Sequence, residues 1–261
     1  SWYRRQRQMC IRDRLHTDEN LTDLIEIYLQ EIKSIYQLDD QQEITVYVME
    51  KPSVNRIEKD KLTKDGIHLL FDIQCEREVQ MMIREGVLNK IGDVLKDLPL
   101  TNSWDNVLDA GISKGTTNWQ LFGSRKPGYD KYTLTRIFNY VYDSTDGEFQ
   151  YNEIPLSKFD MKKNYYKLSV RNKDNSSLFL KNDFIMKLEE RKNKNKKSKP
   201  ISPSSSINTI RNHSYDTNMI YDIKNKDELD YATNCFLDKV TNNDEYISVS
   251  YTHLRAHETN Q

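Results

Sequence analysis

Two segments with a strand-like alternation of apolar residues lie between two segments with helical spacing, and this order constrains the fold more than any other feature. Residues 17–37 and 76–98 repeat apolar side chains every three or four positions, which is typical of amphipathic helices. Residues 44–50 and 66–73 alternate at a period of two, which is typical of strands. The pattern predicts a mixed α and β fold with interleaved helices and strands.

Local signals predict where some of these elements begin and end. Thr17 is the predicted N-cap of the first helix, because acidic residues beginning with Asp18 follow it. Pro99 ends the second helix, since proline cannot continue the hydrogen-bond ladder. We expect a short helical turn near residues 104–109 and a further strand near residues 119–122.

Composition excludes several classes of protein. Hydrophobic residues make up 36% and aromatic residues 10% of the 261 residues, which is enough to form a core. No apolar stretch approaches the roughly 20 residues that cross a bilayer, so we expect a soluble, intracellular protein without a membrane span. The three cysteines are too widely spaced for a zinc cluster or a disulfide framework. Lys and Arg total 39 against 40 Asp and Glu, so net charge does not indicate nucleic acid.

The two ends of the chain are related to each other at the DNA level. If residues 9–13 are written as ATG TGT ATA AGA GAC, the reverse complement is GTC TCT TAT ACA CAT, which encodes residues 249–253. Such an inverted repeat resembles the mosaic end of a sequencing-library transposon, and the flanking residues resemble its adapter arms. We therefore predict that residues 1–14 and 248–261 are adapter-derived, and that the native sequence is N-terminally truncated.

The second half of the chain changes composition. Residues 187–199 hold seven basic and two acidic residues, and a Ser- and Pro-rich stretch follows them. This composition predicts a solvated linker over residues 187–226, and a charged tether is favoured over a DNA-phosphate contact. Residues 227–240 regain helical spacing, so residues 227–247 are interpreted as the start of a further unit.

Two residues of rare type stand near the ends of predicted elements. His68 follows Gly66 at the start of an apolar strand, where glycine would let a large ligand approach the backbone. A single histidine in a strand is also common in ordinary cores. Asp109 follows an apolar pair, a position that suits a hard-metal ligand and equally a helix cap.

A third candidate is a basic, glycine-containing turn. Residues 118–122 read as the strand Asn-Trp-Gln-Leu-Phe, and Gly123 follows them. The turn can present Ser124, Arg125, Lys126 and backbone amides to an anion. Each of the three signals is weak when it is taken alone.

In order and spacing, these residues resemble the archaeo-eukaryotic primase and primase-polymerase superfamily over residues 15–138. Gly66-Ile67-His68 is similar to the small-x-His motif, and Leu108-Asp109 to the motif of an apolar residue followed by Asp. Lys64 takes the place of a lysine that precedes the motif histidine by four residues. The residues similar to the Asn-aromatic-x-Leu-aromatic strand and its Ser-x-Lys contact are Asn118, Trp119, Leu121, Phe122, Ser124 and Lys126.

The resemblance implies a role for each matching residue. Asp109 would be a metal ligand for Mg²⁺ or Mn²⁺, and His68 would hydrogen-bond the triphosphate or sugar. Lys64 and Lys126 would hold phosphates of a nucleoside triphosphate. The residues implied to bind nucleotide are Lys64, Gly66, His68, Asn118, Ser124, Arg125 and Lys126. Relatives often carry arginines beside the strand asparagine, where this chain has Thr117 and Gln120, so that part of the phosphate contact is either altered or supplied by Arg125.

One part of the superfamily pattern has no counterpart in the chain. Relatives place an Asp-x-Asp or Asp-x-Glu strand ahead of the Thr17 helix, and adapter-derived sequence occupies that place here. Nucleotidyl transfer needs metal ions held by several carboxylates, and Asp109 alone supplies one. We therefore expect the fragment to be inactive and its parent to be a DNA primase.

The resemblance also implies an architecture and a context. The expected fold class is α+β, a partial primase domain over residues 15–186 with an RRM-like antiparallel sheet and a flanking α/β unit. It is similar to primase parts of helicase-primases from large nucleocytoplasmic DNA viruses. That context implies a single-stranded DNA template, a superfamily 3 helicase region in the parent and a place in the host cytoplasm. The alternatives are a non-catalytic nucleotide- or nucleic-acid-binding module that stacks bases on Trp119 and Phe122, and a metal-dependent nuclease.

Overall fold

The computed structural model describes residues 15–57, 62–114, 122–125, 128–170, 172, 174, 176–197 and 246–257. The helices are α1 (Asp18–Ile35), α2 (Arg77–Leu88), α3 (Ile91–Val94), α4 (Trp104–Val107), α5 (Ala110–Ser113), α6 (Met161–Asn164) and α7 (Asn182–Lys197), with 3-10 turns at Leu156–Lys158 and Tyr165–Leu168. The strands are β1 (Glu43–Glu50), β2 (Asn55–Ile57), β3 (Leu62–Cys75), β4 (Thr133–Asp143), β5 (Glu148–Glu153), β6 (Ser176–Ser177) and β7 (Tyr246–His257). The predicted mixed α and β fold is confirmed.

The strands form one mostly antiparallel sheet with β1 and β3 at its centre. The order along the main path is β2-β3-β1-β4-β5, and neighbours on this path are antiparallel. The register places Val48 opposite Leu69 of β3 and Arg136 of β4. β3 also pairs with β6 in parallel and with β7 in antiparallel fashion. β7 includes residues 248–257, which the inverted repeat indicates are adapter-derived.

Helix α1 forms as its sequence predicts. Thr17 is the N-cap and closes a capping box with Asn20: the Asn20 N–H donates to Thr17 Oγ1 at 3.1 Å, and the Thr17 N–H donates to Asn20 Oδ1 at 3.0 Å. The apolar stripe faces the sheet and is buried; its members in the helix are Leu21, Leu24, Ile25, Tyr28, Leu29, Ile32 and Ile35. Burial of this face holds α1 on the sheet.

The alternation of β1 and β3 gives the sheet two faces that each carry a core. Ile44, Val46 and Val48 of β1 lie on the face that α1 and α2 cover, and they belong to the larger core cluster. Tyr47 and Met49 lie on the other face, in a second cluster. The second cluster is completed by Leu70 of β3 and by residues of later segments, namely Tyr132, Leu134, Ile137 and Leu168. We call this side of the sheet the second face.

The second predicted helix differs from expectation because it is interrupted. α2 ends at Leu88, Asn89 is its C-cap, and the chain resumes as the single turn α3. The Asn89 N–H donates back to Glu85 O, and the next residues include Gly92, which is a poor helix former. The apolar spacing nevertheless continues through Ile91 and Leu95, which are both buried. A buried apolar stripe can thus continue across a helix break. The apolar spacing therefore predicted a longer helix than the structure shows.

The C-terminal linker also differs from expectation over its first residues. α7 extends to Lys197, so residues 187–197 of the predicted linker are helical. Phe184 and Leu188 bury one side of α7 in the larger core, and Arg191 Nη1 donates to Glu85 Oε2 at 2.7 Å. Composition alone missed this, because two apolar residues and a few ion pairs hold the helix. The predicted helix over residues 227–240 lies outside the described residues.

Candidate functional site

The predicted small-x-His strand lies on β3 with its polar residues on the second face. Lys64, Gly66 and His68 alternate along the strand with Ile67, whose side chain joins the larger core under the helices. Leu70, two residues beyond His68, belongs to the second cluster. Gly66 and His68 are buried, and Lys64 is half-buried. The three residues therefore point to the same side of the sheet.

His68 stacks on a tyrosine that sequence reasoning did not single out. Its ring centroid lies 3.5 Å from that of Tyr132, with 20° between the ring planes. Tyr132 precedes β4, and Lys51 Nζ, one residue past β1, lies 5.3 Å from the Tyr132 ring centroid. The imidazole is thus fixed by ring packing. Only an aromatic residue just before a strand could have signalled Tyr132 in the sequence.

Asp109 sits in a loop that a buried arginine braces. Arg84 Nε donates to the Leu108 carbonyl at 3.0 Å, and Arg84 Nη2 donates to Asp105 Oδ1 at 2.9 Å. Hydrogen bonding to Arg84 lowers the pKa of the Asp105 carboxyl. Asp109 itself is half-buried, and its Oδ1 accepts from the Gly111 N–H at 2.7 Å as the N-cap of α5. The capping role that the sequence allowed is therefore present.

The turn predicted to bind an anion is described in part. Ser124 is buried and Arg125 is half-buried, and they follow Gly123, whose φ of 81° favours glycine. Phe122 lies in a turn, and its carbonyl accepts from Tyr165 Oη at 3.0 Å. The predicted residues that fall outside the described part of the chain are Asn118, Trp119, Leu121 and Lys126. Of the strand predicted over residues 119–122, residues 119–121 lie outside the described part of the chain and Phe122 lies in a turn.

The second face brings the separate predicted parts together. Phe122, next to the Gly123 turn, packs against the second cluster, and so does Ile112, which follows Asp109. His68 stacks on Tyr132, a member of that cluster. Residues of β3, of α5 after Asp109 and of the turn before Ser124 thus pack around one apolar cluster.

The acidic residues in the described ranges do not fit a Mg²⁺ or Mn²⁺ site. Within those ranges no group of three or more His, Cys, Asp and Glu side chains is arranged to hold a metal ion. Asp109 contributes one carboxylate, already engaged by the Gly111 N–H. Mg²⁺ prefers several oxygen ligands, and one engaged carboxylate does not supply them.

A buried charged cluster on the helix-covered side was missed by sequence reasoning. His16 Nε2 lies 2.8 Å from Glu50 Oε1, and His16 Nδ1 lies 3.1 Å from Asp65 Oδ2. Thr135 Oγ1 donates to Glu50 Oε2 at 2.5 Å, and the Gly66 N–H donates to Asp65 Oδ1 at 3.0 Å. We call His16, Glu50 and Asp65 the histidine clamp. Two acidic residues at the ends of apolar strands were its only signal.

The clamp favours a protonated imidazole. Burial alone lowers the pKa of His16, but hydrogen bonds and charges from Asp65 and Glu50 outweigh it and raise that pKa to about 9. At neutral pH, His16 therefore carries a positive charge between two carboxylates. The clamp also ties the start of α1 to β3, because the Leu15 N–H donates to Asp65 Oδ2 at 3.3 Å.

The mixed α and β fold, built on a mostly antiparallel sheet that helices cover on one face, is compatible with the domain that the primase resemblance implies. Comparison by family supports it, since residues 4–138, just over half of the chain, match the family described as the C962R protein N-terminal AEP domain. The chain belongs to this family of archaeo-eukaryotic primase domains. The match begins inside residues 1–14, which were predicted to be adapter-derived. A search of curated proteins finds no match.

Family membership supports a primase or primase-polymerase type of function in general, with nucleotide and nucleic acid as ligands. Among the described helices, none is long and apolar enough to cross a membrane.

Proposed function

We propose that residues 15–138 form the nucleotide-binding part of a DNA primase domain that carries out template-directed nucleotidyl transfer in its parent. The observation that carries this proposal concerns the apolar cluster of the second face: Tyr132, on which His68 stacks, belongs to it, and Ile112 and Phe122, which adjoin the Asp109 and Ser124 segments, pack against it. Lys64 and Lys126 would hold triphosphate oxygens as point charges, and His68 would donate to the triphosphate or sugar. Ser124 and Arg125 would complete the phosphate contact.

Further parts of the proposal rest on the superfamily resemblance. Asp109 would be one metal ligand of the parent enzyme, whose remaining carboxylates are not found among the described residues. The sheet would be RRM-like, and the parent would be a viral helicase-primase acting on single-stranded DNA in the host cytoplasm. We expect the 261-residue chain itself to synthesise no primers, because a lone carboxylate holds catalytic metal weakly.

Nucleotide binding by single-lysine variants tests the proposal. Lys64→Ala and Lys126→Ala should each weaken binding of a fluorescent deoxynucleoside triphosphate about tenfold, because each removes a charge-assisted contact. Lys163→Ala is the matched control, since Lys163 of α6 is exposed and its Nζ lies 3.7 Å from Oδ2 of Asp160, the residue before the helix. Anisotropy titrations of the 261-residue chain measure all three, and circular dichroism checks folding.

Two results would contradict this assignment. Lys126→Ala should weaken triphosphate binding more than binding of a single-stranded template, so equal losses would count against a phosphate contact at the nucleotide site. Template-directed synthesis by the purified chain, measured by extension of labelled primers, would overturn the expected inactivity.

A further inference from the structure

A row of aromatic and cationic side chains leads from His68 to the surface. Tyr132 stacks on His68, and Lys51 Nζ lies 5.3 Å from the Tyr132 ring centroid. Lys51 Nζ also lies 5.1 Å from the ring centroid of Tyr129. Tyr132 is 7% exposed whereas Tyr129 is 53% exposed. The row therefore begins in the candidate site and ends in solvent.

The outer end of the row is held in place by its own loop contacts. Ser53 Oγ donates to Asp130 Oδ2 at 2.7 Å, which joins the segment after β1 to the segment before β4. Gly128 has a φ of 77°, so the turn that leads into Tyr129 depends on glycine. These contacts position Tyr129 without burying it, which means that little ordering is needed when a ligand arrives.

The chemistry of the row fits a nucleotide unit. An exposed aromatic ring can stack on the face of any base, and an adjacent lysine can meet the phosphate next to it. The carboxylate of Asp130 would repel a phosphate. It accepts a hydrogen bond from Ser53 Oγ, which holds it at the segment after β1. Packing in the core explains Tyr132, which is buried. It does not explain Tyr129, which lies beside Lys51 Nζ with half of its own surface exposed.

We propose that Tyr129 and Lys51 form a contact for single-stranded nucleic acid, with Tyr129 stacking on a base and Lys51 bound to a backbone phosphate. The inference rests on the proposed function, because it places the strand beside the nucleotide site. The row directs the strand toward His68, where an incoming nucleotide would meet it. The contact reads no sequence, since every base offers a ring face.

Strand binding by tyrosine variants of the 261-residue chain tests this contact. Tyr129→Ala should weaken binding of fluorescein-labelled oligo(dT) about tenfold, while Tyr129→Trp should retain affinity within about twofold because the ring is kept. Tyr151→Ala is the matched control: Tyr151 is 49% exposed but contacts the rings of Phe138 and Tyr140 of the larger core. Lys51→Gln should reduce the slope of the logarithm of affinity against the logarithm of salt concentration by about one, the value for one phosphate contact.

The outcomes separate this inference from the proposed function. Unchanged strand affinity in Tyr129→Ala, or no strand binding by the unmodified chain, overturns the contact, while Lys64-dependent triphosphate binding would still support the nucleotide site. Equal losses of triphosphate and oligonucleotide affinity in Tyr129→Ala would assign the ring to the free nucleotide and also overturn it. Loss confined to the oligonucleotide supports it, even if triphosphate binding fails to depend on Lys64.

Discussion

Two buried histidines lie at the same end of the sheet on opposite faces, and their partners differ completely. On the helix-covered side, the His16 side chain is 5% exposed and lies between the carboxylates of Glu50 and Asp65. On the second face, His68 is 3% exposed and stacks on the ring of Tyr132. Burial alone therefore does not distinguish a structural histidine from a candidate ligand-binding one. The kind of partner does.

The difference follows from what each side of the sheet has to do. The clamp joins the start of α1 to β1 and β3. Water is excluded there, so each ionised group needs an opposite charge or a hydrogen bond. On the second face, His68 lies on the same side of β3 as Lys64 and packs against the ring of Tyr132. We infer that the clamp fixes the strand and that His68 serves the ligand.

The same substitution at both histidines tests this comparison most strongly. His16→Leu should lower the free energy of unfolding by about 3–5 kcal/mol, because it leaves two buried carboxylates without their cation. His68→Leu should lower it by about 1 kcal/mol, because the ring stack on Tyr132 is lost while an apolar side chain still fills the site. Urea unfolding monitored by circular dichroism measures both variants. Equal destabilisation would remove the distinction between a clamp and a ligand-facing residue.

The pH dependence of stability offers a second, somewhat smaller test. Because the pKa of His16 is about 9 in the folded chain and near 6.5 when unfolded, the clamp stabilises fully below about pH 6.5 and loses its contribution as pH rises through 9. The expected loss is about 3 kcal/mol over this interval. Urea midpoints between pH 6 and 9.5 measure it.

The charged groups near the clamp define the control for this pH series. Glu50 of β1 and Asp65 of β3 face His16 directly, while Asp18 of α1 is paired with Arg136 of β4. His16→Gln should therefore flatten the stability profile between pH 6.5 and 9, and His68→Gln should leave its slope unchanged. A slope that persists in His16→Gln would assign the titration to another group.

Much of the fold was accessible from the sequence, because local rules and tertiary packing agree there. The Thr17 cap and the stripe of α1 are confirmed, and so are the alternating strands, although β3 extends beyond the predicted residues 66–73. The break after Leu88 was missed, because a buried stripe continued past it. The helical start of the linker was missed, because a mostly charged composition gave no sign that Leu188, together with Phe184 just before the linker, buries one side of the helix.

The candidate site was less accessible, because its parts are joined only by tertiary structure. Motif spacing singled out Lys64, His68 and Asp109 as candidates, and the sheet places the first two on one face. It could not identify His16, Glu50 and Asp65, since a clamp made from three separate elements has no local pattern. Nor could it identify Tyr132 and Lys51, whose relation to His68 depends on the register of β1, β3 and β4.

The smallest expected effect concerns the ring stack itself. Tyr132→Leu should lower the free energy of unfolding by about 1 kcal/mol, because an aromatic pair contributes about 0.5–1.5 kcal/mol beyond the area that it buries. Tyr132→Phe keeps the ring and should remain within about 0.5 kcal/mol of the unmodified chain. In a His68→Leu background the loss caused by Tyr132→Leu should shrink, since the partner is already absent. An undiminished loss in that background would mean that Tyr132 stabilises the second cluster independently of His68, and the contrast between the two histidines would then rest on the clamp alone.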